Sequence, residues 1–388
     1  MIRYIKKQIY SLGSGVLLGV LLCSCSSSPF MWKTHLSLLD HSHSPMSSSA
    51  CTLLFSHQDW VLHPPKFQWS ASNKSIRITP KEGELTNGIW WWSHPTHFAG
   101  AVRWISSSLP TRWLDLLNQL KSLKILRFYT ESTPLLKENS SRLKHWHRFL
   151  HDHHRKSDLL LGELSWICKP QTLFKLIQEH FIPFQKKANP QERFDGIYLD
   201  LEPHALNHQS SLCPFTWTLS SPIQKQDLLY GLLYTLISLR TLLNQELDHS
   251  LFLSVYLPFW FDQIDLDTRI WDTPQQRDVY YQCLDDTVDA VSIASYCRSD
   301  PQEIKRVFLW EYTHFPTKMR LGLNATHQFK HSQPKSHSFK HQTCSTWKNN
   351  QHLVDTLKEI KALFSNQDHR ISFDFENLVY WIHSNSSD

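Results

Sequence analysis

The chain has 388 residues, a formal net charge of +5 and 10 glycines. Its 40 Lys and Arg residues are spread along the sequence and form no dense basic blocks, which argues against nucleic acid as a partner. No glycine-rich phosphate loop and no serine elbow is visible, so nucleotide-binding and serine-hydrolase functions are excluded and no cofactor is expected.

The first 24 residues are typical of a lipoprotein signal peptide. Basic residues precede the apolar run 11–22, which is too short to span a bilayer as a mature helix. Cys25 follows the small residue Ser24, as the acylated cysteine of a lipobox does, whereas Cys23 follows bulky Leu22. We predict cleavage after residue 24 and palmitate-type lipidation of Cys25. An uncleaved anchor helix is the alternative.

The residue after the predicted anchor is Ser26 and not Asp, which resembles the outer-membrane pattern of Gram-negative lipoproteins. Residues 25–50 are rich in Ser, His and Pro and predict a flexible tether. Residues 51–87 contain short alternating runs and predict a small β-rich segment. Residues 88–388 form the remaining, largest domain. Six cysteines lie beyond the tether, and their spacing matches no metal signature.

The largest domain alternates short apolar runs of period two with longer runs of helical period, which is typical of repeated βα units. Eight strands are predicted, the number that closes an α/β barrel. They are Gly88–Ser93, Ile125–Glu131, Leu159–Ser165, Gly196–Glu202, Phe252–Trp260, Ala290–Tyr296, Arg320–Asn324 and Ile371–Glu376. The predicted helices are Thr111–Leu123, Ser141–His151, Pro170–Gln185, Gln224–Gln245, Gln302–Tyr312 and Leu353–Phe364. The predicted fold is a (β/α)8 barrel with a small N-terminal β-rich appendage.

The alternation in these strands predicts which side chains face the lumen. In the fourth strand Ile197, Leu199 and Leu201 share one parity, and Asp200 and Glu202 share the other. Aliphatic residues of a barrel strand face the surrounding helices, and the opposite parity faces the lumen and the rim. The inward parity becomes polar toward the C-terminal strand ends, where barrel active sites are built.

Asp200 and Glu202 are the leading candidates for chemistry. Two strand positions separate them by roughly 6–7 Å, with both side chains on one face. Carboxylates that close together raise each other's pKa when they are partly buried, so that one keeps its proton while the other is ionised. General acid catalysis of glycoside cleavage requires that division.

The run from Asp195 to Glu202 resembles the fourth-strand signature of glycoside hydrolase family 18, in which Asp-Gly is followed by a spaced Asp, Asp and Glu. Asp195, Gly196, Asp200 and Glu202 match this signature. Tyr198 stands where the family has the first Asp of the trio. The resemblance extends over about residues 88–382 and implies a TIM-barrel glycosidase.

The resemblance also implies roles for single residues. Glu202 would protonate the glycosidic oxygen, and Asp200 would orient the substrate's N-acetyl group as the nucleophile. Tyr296, at the end of the sixth strand, would support that group with its hydroxyl. The carboxylate absent at Tyr198 normally tunes the middle Asp, so its loss points to slower or different chemistry. Trp381 is a possible counterpart of the family's eighth-strand tryptophan, although it lies beyond the predicted strand.

Other residues of inward parity, or at predicted strand ends, are candidate substrate contacts, because sugar rings stack on aromatic faces and bond to polar groups. The predicted contacts are Trp92, Tyr129, Glu131, Glu163, Tyr198, Tyr256, Trp260, Asn324, Asp374 and Glu376. Each has the alternative of being a core residue or a hydrogen-bonded rim residue. If Asp374 or Glu376 lay about 5 Å from Glu202, an enzyme nucleophile would compete with substrate assistance.

Five histidines between His145 and His154 include the chelating spacing of His147 and His151. They lack the HExxH arrangement, so we expect a solvated helix face and no metal site.

The sequence therefore predicts an envelope glycosidase that cleaves an N-acetylhexosamine glycan, such as peptidoglycan or a related polymer, and that is held to the membrane by its N-terminal lipid, with the outer membrane favoured. Its rivals are a catalytically silent barrel that binds glycan or an envelope protein, and a lipoprotein in which the barrel is only a scaffold.

Overall fold

The computed structural model describes residues 51–54, 66–69, 86–92, 100–108, 110–206, 217, 220, 222–262, 270–271, 273–295, 298, 300–314, 318–324, 350–364 and 371–376. All of these lie in one compact unit, Ser48–Asp388. The predicted signal peptide, the tether and the lipidation site Cys25 lie outside the described residues.

Two antiparallel strands precede the barrel. β1 (Cys51–Leu54) pairs with β2 (Lys66–Trp69), with Cys51 opposite Trp69. This small sheet agrees with the β-rich segment expected at residues 51–87.

Eight parallel strands then close into a barrel, which confirms the predicted fold. Each strand pairs with the next along the chain, and the last pairs with the first through Asp374 and Gly88. The strands are β3 (Asn87–Trp91), β4 (Ile125–Thr130), β5 (Lys156–Leu161), β6 (Gly196–Leu199), β7 (Phe252–Pro258), β8 (Ala290–Ala294), β9 (Met319–Asn324) and β10 (Ser372–Glu376).

Helices connect the strands and cover the outside of the barrel. They are α1 (Ala101–Ser107), α2 (Pro110–Gln119), α3 (Thr133–Lys137), α4 (Ser141–Asp152), α5 (Gln171–Leu176), α6 (Ile182–Lys187), α7 (Pro222–Glu246), α8 (Pro274–Thr287), α9 (Pro301–His314) and α10 (Asn350–Leu363). A π turn, Ile177–Phe181, joins α5 to α6. Among the described helices, none has the length and apolarity needed to cross a bilayer.

Two apolar clusters follow from the alternation of the strands. The outer cluster lies between sheet and helices and contains the aliphatic residues of β6, including Ile197 and Leu199. The inner cluster fills the lumen, and its members are Trp90, Tyr129, Leu160, Tyr198, Tyr256 and Ala294, with Trp92 packed against them. The parity predicted from the sequence for β6 therefore separates the two sides of the sheet correctly.

The third barrel strand lies earlier in the chain than the sequence predicts. We expected Leu159–Ser165, whereas β5 begins at Lys156 and ends at Leu161. Its polar start is stabilised inside the barrel, because Asp158 pairs with Arg127 of β4 at 2.7 Å and both side chains are buried. Such a buried pair is not visible as an apolar run.

Candidate active site

The two carboxylates lie at the C-terminal mouth of the barrel, just after β6. The ladder continues past the strand end, since the Asp200 N–H donates to the Leu161 carbonyl at 2.8 Å. Leu201 is fully buried in the outer cluster, whereas Asp200 and Glu202 on either side of it are half-buried. The Glu202 side chain is 31% exposed, so its carboxyl group is open to solvent. A short turn, Pro203–Ala205, then ends the extended segment.

A histidine that we did not predict lies next to Glu202. The His204 Nε2 atom is 4.0 Å from Glu202 Oε1. The His204 ring packs edge-on against Trp260 with the ring centres 5.3 Å apart, and it also meets Phe261. Burial lowers the pKa of His204, although the charge of Glu202 acts in the opposite direction. The signal in the sequence was its position two residues after Glu202, across a proline that fixes a tight turn.

Trp92 forms an aromatic wall beside Asp200. Its indole is half-buried and packs on the lumen cluster. Gly162, which is exposed, leaves room for it, because a Cβ on residue 162 would lie 2.5 Å from Trp92 Cη2 and 3.0 Å from the Asp200 carbonyl oxygen. Trp92 therefore lies close to the Asp200 backbone at the mouth, and an indole has the flat apolar face that sugar stacking requires.

The lumen beneath the mouth is filled with aromatic side chains. The rings of Tyr129 and Tyr198 are 4.4 Å apart, and Trp90 meets Tyr198 at 5.5 Å and Tyr256 at 6.3 Å. Tyr129 and Tyr198 are fully buried, and Tyr256 is only 4% exposed. Our prediction that these three tyrosines contact substrate is therefore wrong for this conformation. They form the floor of the mouth instead.

Asp374 is also fully buried and is held by a polar network. Its Oδ1 atom accepts a hydrogen bond of 2.9 Å from the Tyr129 hydroxyl and lies 3.5 Å from Arg320 Nη1, while its Oδ2 atom accepts from the Ser292 hydroxyl. Gly88 makes room for this carboxylate, since a Cβ there would collide with Asp374. The predicted contact between Asp374 and substrate is therefore wrong, and in this conformation Asp374 cannot serve as an enzyme nucleophile.

Tyr198 lies between this network and the mouth. Burial raises the pKa of its hydroxyl well above the usual value, and the charges of Asp374 and Asp200 add to the effect. The tyrosine therefore stays neutral under Asp200. It replaces a carboxylate of the family signature with an uncharged aromatic ring.

The remaining predicted substrate contacts either lie on the rim of the barrel mouth or belong to residues outside the described part of the chain. Glu131 is half-buried and accepts a hydrogen bond from the Thr133 N–H, and Trp260 is half-buried beside His204. Asn324 and Glu376 are opposite one another in β9 and β10. Tyr296, Trp381 and the side chains of Asn324 and Glu376 lie outside the described residues.

Glu163 was assigned to the wrong parity. Because β5 ends at Leu161, Glu163 lies beyond the strand and on the alternation opposite to the lumen residue Leu160. Its exposed side chain accepts a hydrogen bond from the Ser165 N–H and caps a short helical turn. It remains on the rim, at a different place from the one that the sequence predicted.

Asp195 matches the family signature but lies at the opposite end of the barrel, before the first residue of β6. Its carboxylate bonds to His151, Lys156 and the Ser157 N–H, each at 2.8 Å. Burial opposes the charge, but these partners together lower the pKa of Asp195 to about 2. Asp195 therefore has a structural role: its hydrogen bonds connect the start of β6 to α4 and β5.

The histidine group in α4 has a structural role as well. The expected solvated face is wrong for His147, which is fully buried and bonds to the Glu192 carbonyl at 2.8 Å, and for His151, which pairs with Asp195. His145 and His154 are exposed. Across the described part of the chain, no three potential ligands lie close enough together to hold a metal ion.

No family model and no curated protein matches this chain. Solved structures similar to it include a glycoside hydrolase family 18 chitinase from Pseudoalteromonas aurantia, at 13% identity over 78% of this chain and 99% of that one, with a TM-score of 0.45. The spore cortex-lytic enzyme SleL of Bacillus megaterium is 10% identical over 77% and 74% of the two chains, with a TM-score of 0.43.

An endo-beta-N-acetylglucosaminidase from Cordyceps militaris is 10% identical over 76% and 82% of the two chains, with a TM-score of 0.37. At TM-scores below 0.5 these similarities do not establish a shared activity. The closed pairing of eight parallel strands establishes the fold by itself.

Proposed function

We propose that this chain is a glycoside hydrolase that cleaves an N-acetylhexosamine-containing glycan, with Glu202 as the general acid. One observation supports the proposal most strongly: Asp200 and Glu202 are half-buried on either side of the fully buried Leu201, just after β6 at the C-terminal end of a closed barrel, where barrel enzymes place their catalytic groups. The Glu202 side chain is 31% exposed, so its carboxyl group is accessible to a bound polymer.

In this proposal Glu202 gives its proton to the glycosidic oxygen as the bond to the sugar carbon breaks. Asp200 orients the substrate's N-acetyl group, whose oxygen attacks that carbon, and Tyr296 supports the same group. Trp92 offers its indole face to the sugar ring. Substrate assistance is favoured over a nucleophile from the protein because Asp374, one of the two carboxylates considered for that role, is buried beneath the tyrosine floor.

A catalytically silent glycan-binding barrel is the second candidate, and Tyr198 is the observation that favours it. A neutral, buried ring lies where the family signature has a carboxylate. Such a barrel would keep Trp92 and the open mouth for binding while lacking the electrostatic support that turnover needs.

Hydrolysis separates the two candidates. The detergent-solubilised chain is incubated with peptidoglycan and with N-acetylglucosamine oligomers, and the release of reducing ends is measured. We expect release by the native chain and by the control Glu179→Gln, which changes an exposed carboxylate on the π turn, and background release by Glu202→Gln. Background release by all three, with glycan binding retained, would establish the silent barrel instead.

We also propose that the chain is exported and anchored through a lipid on Cys25, so that its substrate is a glycan of the envelope. The amino-terminal sequence supports export. Cys168 and Cys283 support it as well, because both take part in disulfide bonds and such bonds persist in oxidising compartments. Growth with labelled palmitate tests the anchor. Cys25→Ser should lose the label and Cys23→Ser should keep it. The reverse pattern would move the anchor to Cys23.

A further inference from the structure

His204 is held in a defined position at the mouth by its surroundings. It sits in the middle of the turn Pro203–Ala205, one residue after the proline that follows Glu202. Its ring is wedged edge-on against Trp260, and only 27% of the side chain is exposed. The ring therefore has little freedom to turn away from the Glu202 carboxyl group, which its Nε2 atom approaches to 4.0 Å.

The two ring nitrogens of His204 have different surroundings. Nε2 faces Glu202, whereas Nδ1 is buried and has no hydrogen-bond partner among the described residues. A protonated imidazole carries an N–H on both nitrogens, and a buried N–H without an acceptor is costly. The neutral ring with its proton on Nε2 is the form that fits, and this form directs a donor toward the carboxyl group.

The electrostatic surroundings agree with a neutral ring. Burial is the largest influence and lowers the pKa of His204, and Glu202 is the charged group among the described residues that acts on it, in the raising direction. Two further neighbours of the ring, Trp260 and Phe261, are apolar. The charge state of His204 therefore depends on Glu202.

We propose that His204 is a positioning residue for Glu202: its Nε2–H, 4.0 Å from the carboxyl oxygen in the free chain, closes to a hydrogen bond when substrate is bound, orients the carboxyl group and stabilises the carboxylate formed when the proton leaves. This inference rests on the proposed function of Glu202 as acid. In the step itself the proton passes from Glu202 to the glycosidic oxygen, the carbon–oxygen bond breaks, and Glu202 is left as a carboxylate facing the Nε2–H. His204 neither gains nor loses a proton.

The first test requires no turnover. The imidazole resonances of the full chain are titrated by NMR, and the His204 signal is assigned as the one that disappears in His204→Gln. In Glu202→Gln the pKa of His204 should fall below its native value, because the negative charge that raises it is gone. In the control Glu179→Gln it should not change. An unchanged His204 pKa in Glu202→Gln would overturn the proposal, whatever the chain cleaves.

The second test measures hydrolysis. His204→Phe keeps a ring against Trp260 but has no N–H, and kcat should fall about 10- to 100-fold, the loss expected for one hydrogen bond to a charged group, with KM little changed. His204→Gln restores an N–H near the Nε2 position and should recover most of kcat. A merely structural role would predict parallel losses of thermal stability and no rescue by Gln. Native kcat in His204→Phe would overturn the proposal.

The two failures are distinguishable. No reducing ends from the native chain would refute the proposed function and leave the NMR coupling of His204 to Glu202 intact. Hydrolysis that depends on Glu202, with an uncoupled His204, would refute only the inference about His204.

Discussion

The Tyr129 hydroxyl donates a 2.9 Å hydrogen bond to Asp374 across the lumen, joining two strands whose residues are 245 positions apart in the chain. The same carboxylate accepts from Ser292 and lies beside Arg320, and all four side chains are buried. The bond thus ties the last strand of the barrel to the second, beneath the carboxylates of the mouth.

Asp374→Asn should destabilise the barrel strongly. The amide is similar in size but leaves the Arg320 guanidinium buried without a counter-charge, which typically costs about 3–5 kcal/mol. Tyr129→Phe, the control, removes the hydroxyl that donates to Asp374 and accepts from Arg320 but keeps the ion pair, and should cost about 1–3 kcal/mol. Denaturant unfolding of the purified variants measures both. Equal, small losses would mean that the ion pair contributes little to the free energy of unfolding.

Trp92 and Gly162 should act together in glycan binding. Trp92→Ala removes the stacking face and should weaken binding of N-acetylglucosamine oligomers about tenfold. Gly162→Ala should weaken it as well, because the added Cβ would displace the indole. In the double variant Gly162→Ala should have no further effect, since its effect passes through Trp92. Calorimetric titration of the three variants tests this, and additive losses would show that the two positions act independently.

His147 should make the stability depend on pH. Burial lowers the pKa of His147 to about 4, so between the ordinary histidine value and pH 4 the unfolded chain binds a proton that the folded chain does not. Stability from this residue is complete above about pH 6.5 and is lost as the pH falls toward 4, by an amount on the order of 3 kcal/mol.

His147→Asn keeps a donor for the Glu192 carbonyl and cannot titrate, so it should flatten that slope in thermal unfolding measured from pH 7 to pH 4. The exposed His154 provides the matched control, and His154→Asn should retain the native slope. An identical slope in native chain and His147→Asn would assign the dependence to other groups, such as the His151 and Asp195 pair.

The barrel could be predicted because its signal is repetitive. Each strand repeats the same alternation, so an error of a few residues at one end leaves the count of eight unchanged. Helix α8 was missed because its buried residues are mainly tyrosines and a cysteine scattered among polar ones, although Thr273 and Pro274 mark its start. The capping signal at Thr273 and Pro274 was present, but the apolar residues after it show too little helical periodicity to predict the helix.

The site was predicted less completely than the fold. The alternation of a strand shows which side chains face the lumen, but not how far below the mouth of the barrel each one lies. Asp200, Tyr198 and Asp374 all have inward parity, yet only Asp200 reaches the mouth, and the other two are fully buried. Depth depends on the position of each residue along a tilted strand and on which partners can satisfy its charge. Arg320 is such a partner for Asp374, and the sequence around residue 374 does not indicate this pairing.

The central claim is that Glu202 acts as the acid, and leaving-group dependence tests it most directly. A nitrophenyl leaving group departs with little need of a proton, whereas a sugar requires one. Kinetics of Glu202→Gln on nitrophenyl N-acetylglucosaminides and on unmodified oligomers should show kcat/KM nearly native for the former and at least about 100-fold lower for the latter. Equal losses on both substrates, or none on either, would contradict the assignment.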